Sequence, residues 1–265
     1  MNTILKRILV GALVVSVPVG GSIFYFANNS ESKNSDKENT ENVDGKDGKD
    51  GKDGKDGKAD HIPTDAKDSN PHKEKIEMLK EAYDNDEVVG VLSIPDTSID
   101  VVVVQHDDNE YYLTHNADNT EKVEGSVYLD YRFEINRGRK NIIYGHNGDE
   151  EVLNVPFNEL EKYYDKSFFD NHQFIKLEDE DGVGTYQIFS VYVETQNLDY
   201  MYANYEDDAW KEHLNNLKNN SLYNTNVDVD ASDEILILQT CSHNEDYLKY
   251  KDRYLLVIAK RVRYE

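Results

Sequence analysis

The chain has 265 residues, which is enough for one folded domain of about 150–200 residues with appendages. Its formal net charge is −24, and an acidic excess of that size argues against a nucleic-acid partner. The single cysteine, Cys241, excludes an intramolecular disulfide and a cysteine-rich zinc site.

The N-terminus carries one long apolar segment. Lys6 and Arg7 precede residues 8–27, a run of twenty residues without a charged side chain. A helix of that length spans about 30 Å, the hydrocarbon thickness of a bilayer. Basic residues before the run and acidic sequence after it orient the N-terminus inward. A cleaved signal peptide is the alternative, but the run is long and Tyr25 spoils the small-residue cleavage pattern. We therefore predict that residues 1–27 form a cytoplasmic start and a single-pass signal anchor, with the remainder outside the cell.

Residues 28–70 contain few large apolar side chains, too few to offset the chain entropy that folding would cost. Within them, residues 45–59 read GKDGKDGKDGKDGKA, five triplets that each begin with glycine. Glycine at every third position is the period of collagen, but so few triplets without proline favour a solvated spacer over a triple helix. We predict a disordered spacer that holds the folded part away from the membrane surface.

The folded domain is predicted to span residues 71–265. Near its start, Ile76, Leu79 and Tyr83 recur at helical spacing. The β-rich runs that follow predict eight strands, at residues 88–94, 99–105, 125–131, 140–145, 173–178, 185–195, 234–241 and 253–262. Helical patterns interrupt the strands at residues 109–116, 157–164 and 206–219. Eight strands with few βαβ alternations predict a mainly β fold, a closed or nearly closed barrel with helices on its surface.

Three chemically capable side chains lie at predicted strand ends. Cys241 ends the strand EILILQTC, His146 follows the strand KNIIYG, and Arg253 begins the last strand. If these strands are neighbours, their ends bring together a nucleophile, a proton carrier and an anion stabiliser. A buried structural cysteine and an ordinary surface arginine are the alternatives. His243, two residues after the cysteine, needs no interaction with it. The other six histidines lie in linkers, helices or polar turns, where we expect solvated imidazoles.

The joint pattern resembles the sortase family. The residues that carry the resemblance are LQTC at 238–241, Arg253 twelve residues later and YGHN at 144–147, together with the N-terminal anchor. The family's Thr-Leu-x-Thr-Cys signature departs at its first position, which is Ile237 here. An apolar strand residue there leaves the chemistry undisturbed. The resemblance covers about residues 75–265 and implies the sortase-type eight-stranded barrel with surface helices.

Two features are similar to class B sortases in particular: the stretch NEYYLTHN at residues 109–116, and the long helix before the seventh strand. The resemblance implies a membrane-anchored extracellular cysteine transpeptidase without a cofactor or metal. Sortases bind a Leu-Pro-x-Thr-Gly-like sorting signal, and class B members often prefer an Asn-Pro-x-Thr variant. The implied partners are surface proteins that carry such a signal, and an amine of a peptidoglycan precursor or a pilin subunit.

The resemblance also implies a role for each site residue. The Cys241 thiolate attacks the threonine carbonyl, and Arg253 holds the resulting oxyanion. His146 protonates the leaving amine and then deprotonates the incoming one. By analogy with the class B groove, the candidate substrate contacts are Asn109, Leu113, Tyr144, Tyr200, Met201, Gln239 and Thr240. For Leu113 and Tyr144, packing in the core is an equal alternative.

Two other functions share parts of this pattern. A cysteine peptidase uses the same Cys–His pair but transfers the acyl group to water, so a product that depends on an added amine separates the two. A non-catalytic surface protein, with a β-barrel binding module on a collagen-like stalk, would leave Cys241, His146 and Arg253 as coincidences. Within the sortase interpretation, wall anchoring and pilus polymerisation are both open.

Overall fold

The computed structural model describes residues 70–148 and 155–265. The predicted anchor at residues 8–27 and the glycine triplets at residues 45–59 lie outside this part of the chain. Among the described residues, no helix is both long and apolar enough to cross a bilayer.

Eight strands in the described part of the chain form a closed barrel with the order β1-β2-β3-β4-β7-β8-β6-β5. The strands are β1 Val88–Ser93, β2 Asp100–Val104, β3 Tyr128–Leu129, β4 Lys140–Tyr144, β5 Phe174–Glu178, β6 Val183–Glu194, β7 Ile235–Cys241 and β8 Tyr254–Tyr264. Each of them overlaps a predicted strand, so the prediction of an eight-stranded barrel is confirmed.

β3 is much shorter than predicted, with two residues in place of seven. Asp130 follows it directly and turns the chain away from the sheet. Its carboxylate accepts a hydrogen bond from the backbone N–H of Arg132 at 3.0 Å, and its carbonyl accepts one from the N–H of Phe133 at 3.1 Å. Such local bonds to an aspartate offer the backbone an alternative to the sheet.

Helices lie on the outside of the barrel. The α-helices are α1 Pro71–Tyr83, α2 Lys166–Asn171 and α3 Asp207–Asn219, and the 3₁₀-helices are Tyr111–Leu113, Pro156–Tyr164, Asp199–Met201 and Glu245–Tyr247. The helix predicted between the sixth and seventh strands is therefore present as α3. The helical patterns at 109–116 and 157–164 are correct in place but form 3₁₀-helices. α2 is not predicted from the sequence, because six residues are too few to show a helical period.

The sheet formed by β4, β7 and β8 carries apolar side chains on both faces. The barrel interior contains Ile143, Leu236, Leu238, Leu255 and Val257. The outer face, packed with residues of α1 and α3, contains Ile142, Ile235, Ile237, Leu256 and Ile258. Because side chains alternate along a strand, Gln239 and Cys241 share the outer face of β7, whereas Thr240 faces inward.

The expectation of a solvated imidazole is wrong for His213. This residue lies on the buried face of α3 with Trp210, one turn away, and is only 7% exposed. Its ring stacks on that of Tyr205 with a centroid separation of 4.4 Å. Burial, assisted by the positive charge of Lys140, lowers the pKa of His213 to about 3. His213 is therefore a neutral core residue at physiological pH.

Candidate active site

The exits of β4 and β7 are joined by hydrogen bonds. The two strands are parallel neighbours. Beyond their last paired residues, the Gly145 N–H donates to the carbonyl of Gln239 at 3.2 Å. The Thr240 hydroxyl donates to the carbonyl of Gly145 at 2.7 Å. His146 and Cys241, the next residues of the two strands, therefore leave the sheet side by side.

Arg253 reaches the same place from the other side of β7. Cys241 is paired with Tyr254, the first residue of β8. The Ser242 N–H donates to the Arg253 carbonyl at 2.9 Å. The Arg253 Nε returns a bond to the Ser242 carbonyl at 2.9 Å, and its Nη1 donates to the Tyr250 carbonyl at 3.2 Å. The other guanidinium N–H groups have no partner among the described residues, so they can bind an anion next to the thiol.

Cys241 is exposed as a residue, and it is the only cysteine in the chain. Its sulfur nevertheless lies against enough protein to lose part of its hydration. This burial raises the pKa of the Cys241 thiol, and the positive charge of Arg253 opposes the increase. Most molecules therefore carry the neutral thiol at neutral pH. Arg253 is the cation that favours the reactive thiolate.

The His146 ring is oriented by the backbone. Its Nε2 lies 2.8 Å from the carbonyl oxygen of Leu113, in the segment between β2 and β3. Because a carbonyl can only accept, Nε2 carries a proton, and Nδ1 is the nitrogen left to exchange a proton with a substrate. The Leu113 backbone therefore fixes the tautomer of the imidazole. The sequence predicts a role only for the side chain of Leu113, as a substrate contact.

Gly145 is required by a close approach. A Cβ atom at this position would lie 2.6 Å from Cδ2 of Phe157, in the 3₁₀-helix Pro156–Tyr164. That distance is far inside van der Waals contact. Glycine thus lets this helix pack against the residue that directly precedes His146.

Two further residues hold the site together, and neither role was predicted from the sequence. The Asn147 amide donates to the carbonyl of Cys241 at 2.7 Å and to Oε1 of Glu161 at 2.9 Å. The same Oε1 accepts the backbone N–H of His243 at 2.6 Å. Asn147 and Glu161 therefore connect the segment after His146 to the segment after Cys241. The position of Asn147 next to the histidine was the one available signal, and nothing in the sequence singled out Glu161.

Two of the predicted substrate contacts, Tyr200 and Gln239, bond to each other. The Tyr200 hydroxyl donates to Oε1 of Gln239 at 2.6 Å, and the tyrosine is 1% exposed. Gln239 lies two residues before Cys241 on the outer face of β7. Met201, next to Tyr200, is half-buried against the outer cluster. The 3₁₀-helix Asp199–Met201 thus lies over the strand that carries the thiol.

The other predicted contacts are placed differently. Leu113 is 38% exposed beside His146. Thr240 is 1% exposed and faces inward, where its hydroxyl holds the strand exit. Tyr144 is buried, and its hydroxyl donates to Oδ2 of Asp130 at 2.7 Å. Asn109 is half-buried and accepts the backbone N–H of Tyr131 at 3.1 Å.

A thiol, an imidazole and a guanidinium at adjoining strand ends of a closed barrel make a site suited to acyl transfer through a cysteine. Comparison with known proteins identifies the family. A family model described as "Sortase domain" matches residues 92–262. The chain belongs to the sortase family of cysteine transpeptidases.

Within the family, the chain is most similar to class B members. It is 36% identical over 190 residues to Sortase B of Listeria monocytogenes, which covers 70% of this chain and 75% of the relative. A solved Staphylococcus aureus sortase B–substrate complex superposes with a TM-score of 0.64 and 28% identity, over 72% of this chain and 86% of that one. A Sortase B structure complexed with triglycine gives a TM-score of 0.66 and 27% identity, over 74% and 89%.

Proposed function

We propose that this sortase is a membrane-anchored, extracellular enzyme that cleaves a Leu-Pro-x-Thr-Gly-like or Asn-Pro-x-Thr-like sorting signal after threonine. It then transfers the acyl group to an amine on a peptidoglycan precursor or a pilin subunit. The observation that carries the proposal is the junction of three strand ends, which brings Cys241, His146 and Arg253 to one edge of the barrel.

In the proposed reaction, the competent enzyme carries a Cys241 thiolate and a His146 imidazolium with a proton on each ring nitrogen, and the thiolate attacks the threonine carbonyl carbon to form a tetrahedral intermediate. The unbonded N–H groups of Arg253 hold its oxyanion. Collapse of the intermediate breaks the amide bond, and His146 delivers a proton from Nδ1 to the leaving amine. The product is a thioester on Cys241. In the second half, His146 takes a proton from the incoming amine, which attacks the thioester and releases the thiolate.

We propose that the peptide lies over the outer face at the end of β7. It runs between the segment that contains Leu113 and the segment that contains the Asp199–Met201 helix. Leu113 on one side and the Asp199–Met201 helix on the other form the walls, and Gln239 lies on the floor. The exposure of Leu113 and the bond between Tyr200 and Gln239 support this placement. Tyr144 is paired with Gln239 and lies beside it on the same outer face. Thr240 supports the floor from the inner face, and Asn109 is a further contact in the segment that contains Leu113.

The anchor and the spacer belong to the proposal as well. We propose that residues 1–27 hold the enzyme in the cell membrane, that residues 28–70 act as the spacer, and that residues 71–265 form the catalytic domain facing the cell wall. Support comes from the uncharged twenty-residue run after Lys6 and Arg7, and from the polar composition that follows it.

The acceptor is proposed to be a primary amine presented by a flexible peptide. Support comes from relatives: one class B structure was solved with a substrate and another with triglycine. An amine acceptor separates this function from that of a cysteine peptidase. A peptidase would release the acid at the same rate with or without an amine.

The test uses the purified full chain and fluorogenic pentapeptides with proline at position two and threonine at position four. We expect cleavage after threonine and, on addition of a glycine peptide or an amine-bearing wall fragment, a ligated product at the expense of the acid. Cleavage that yields only the acid across all amines would favour the peptidase. No cleavage of any peptide by a protein whose thiol is intact would refute the proposal.

A further inference from the structure

Lys140 is a buried cation that the proposed chemistry does not use. It is the first residue of β4 and is only 3% exposed. Its Nζ donates to the carbonyl of Tyr200 at 2.6 Å and also to the carbonyl of Tyr202. The same nitrogen lies 5.0 Å from the centroid of the Tyr205 ring, within range of a cation–π interaction. All of these contacts are to one segment, which contains the 3₁₀-helix Asp199–Met201.

An ammonium in this position is costly for the fold. A buried charge loses its hydration, and no carboxylate forms an ion pair with Lys140 among the described residues. Burial accordingly lowers the pKa of Lys140 to about 7, with the nearby positive charge of Arg132 as the second cause. Two strong hydrogen bonds to main-chain carbonyls offset part of this desolvation cost.

The segment held by Lys140 reaches the reactive thiol through one side chain. Tyr200 is bonded to Lys140 through its carbonyl and to Gln239 through its hydroxyl. Gln239 and Cys241 lie on the same face of β7. A continuous path of three contacting residues, Lys140, Tyr200 and Gln239, therefore runs from the start of β4 to the floor beside the thiol.

We infer that Lys140 is a positioning residue that fixes the Asp199–Met201 wall over the groove floor, and that it thereby sets peptide recognition rather than the chemical step. The inference rests on the proposed function for the existence of the peptide groove. The hydrogen bonds between Lys140 and the wall do not depend on that function.

The charged and titratable groups around Lys140 determine how pH acts on it. Asp130 and Arg132 act on it from the β3–β4 connection, the first favouring its charge and the second opposing it. Tyr205 and His213, from the residues before and within α3, face it with a ring and a neutral imidazole. Its partner on β7, Ile235, is apolar.

A rise in pH through about 7 therefore removes the charge of Lys140 while its neighbours keep theirs. Burial is the main cause of the low pKa, so an opening of the wall that lets water reach Lys140 restores its usual pKa and makes it bind a proton. We therefore expect the hold on the wall to strengthen as the pH rises above about 7, because the open wall binds a proton that the closed wall does not.

The test compares Lys140→Met with Lys260→Met in the full chain. Both lysines flank Ile235 in the sheet, on opposite sides of β7. Lys260 pairs with Asp233, at 3.2 Å, and makes no bond to the wall. Losing a charged hydrogen bond has an effect on the order of tenfold on an equilibrium. We expect Lys140→Met to raise the peptide KM by about that factor, with kcat within about twofold of wild type, and Lys260→Met to change neither.

Hydrogen exchange supplies a second readout that needs no activity. The wall amides of Met201 and Tyr202 donate to the carbonyls of Leu198 and Asp199. We expect both to exchange faster in Lys140→Met but not in Lys260→Met. In the wild type, their protection should rise above pH 7 relative to β7 amides, after correction for intrinsic rates. This wild-type measurement decides the case if the variant does not fold.

Unchanged KM and unchanged wall exchange in a folded Lys140→Met protein would overturn the inference. So would a fall in kcat with KM unaltered, or a wild-type wall whose protection ignores pH. If the wild type cleaves no peptide, the proposed function fails, and the exchange comparison still decides whether Lys140 holds the wall.

Discussion

The floor and the wall of the proposed groove are held by different forces. At the floor, the residues around Cys241 are fixed by main-chain bonds between neighbouring strands and by the Asn147–Glu161 bridge. At the wall, the Asp199–Met201 helix is connected to the barrel through side chains, chiefly Lys140 and Tyr200. A sheet ladder resists local change, whereas a single side-chain bond is easily altered. We infer that the floor fixes the chemistry and that the wall can be tuned for the peptide.

The largest effect is expected at the floor. Cys241→Ala removes the nucleophile, so acyl-enzyme formation should vanish while circular dichroism is unchanged, because the residue is small and exposed. His146→Ala should lower transfer by about 10²–10⁴-fold, the usual loss for a general acid–base group, with the thiol still open to alkylation. A His146→Ala enzyme with wild-type transfer would remove the imidazole from the mechanism.

Arg253→Lys tests the guanidinium at constant charge. Lysine lacks the planar fork of donors, and loss of one oxyanion donor lowers turnover by about 10²–10³-fold. Arg263→Lys is the matched control, since Arg263 is an exposed residue of β8, the strand that begins directly after Arg253, and its partner is Glu265. Steady-state kinetics on both variants, at matched circular dichroism, make the comparison. Equal activity in the Arg253→Lys and Arg263→Lys variants would show that Arg253 is only a surface cation.

The rate of thiol alkylation should depend on pH in a way that Arg253 controls. Burial raises the thiol pKa, so the midpoint of alkylation should lie above the ordinary value of roughly 8.5. Arg253→Met removes the charge that favours the thiolate, so the midpoint should move still higher, whereas Arg253→Lys should stay near the wild type. Because the chain has one cysteine, iodoacetamide labelling reports Cys241 alone. A midpoint that is the same in all three proteins would show that Arg253 does not act on the thiol.

The smallest effect is expected at the wall. Tyr200→Phe removes a neutral hydrogen bond to Gln239. Such a bond corresponds to roughly two- to tenfold in an equilibrium, so KM should rise within that range with kcat preserved. Tyr223→Phe is a matched control, because its hydroxyl also donates to one acceptor, the carbonyl of Tyr163 at 3.0 Å. A fall in kcat in Tyr200→Phe, with KM constant, would contradict the division between floor and wall.

The strands could be predicted from the sequence because their signal is local. Runs such as residues 234–241 and 253–262 alternate or remain apolar over several residues, and the structure has β7 and β8 there. Cys241 and His146 stood out because each follows such a run directly. The pairing of β4 with β7 joins segments that are far apart in the sequence. Only the family resemblance supported it before the structure.

The sequence did not reveal which polar residues are buried. Lys140 and His213 look like surface residues in the sequence, because lysine and histidine are polar side chains that are seldom fully buried. Both are buried because their partners come from distant segments: carbonyls of Tyr200 and Tyr202 for the lysine, and the Tyr205 ring for the histidine. No periodicity encodes such pairings.

The most direct test of the central claim is an intact-mass measurement of the full chain after brief exposure to the pentapeptide library. The account predicts a mass increase equal to the peptide up to threonine, located on Cys241 and discharged by a glycine peptide. It also predicts that His146→Ala and Arg253→Lys accumulate far less of this adduct than Arg263→Lys. A wild-type enzyme that cleaves the peptide without ever carrying an acyl group on Cys241 would contradict it.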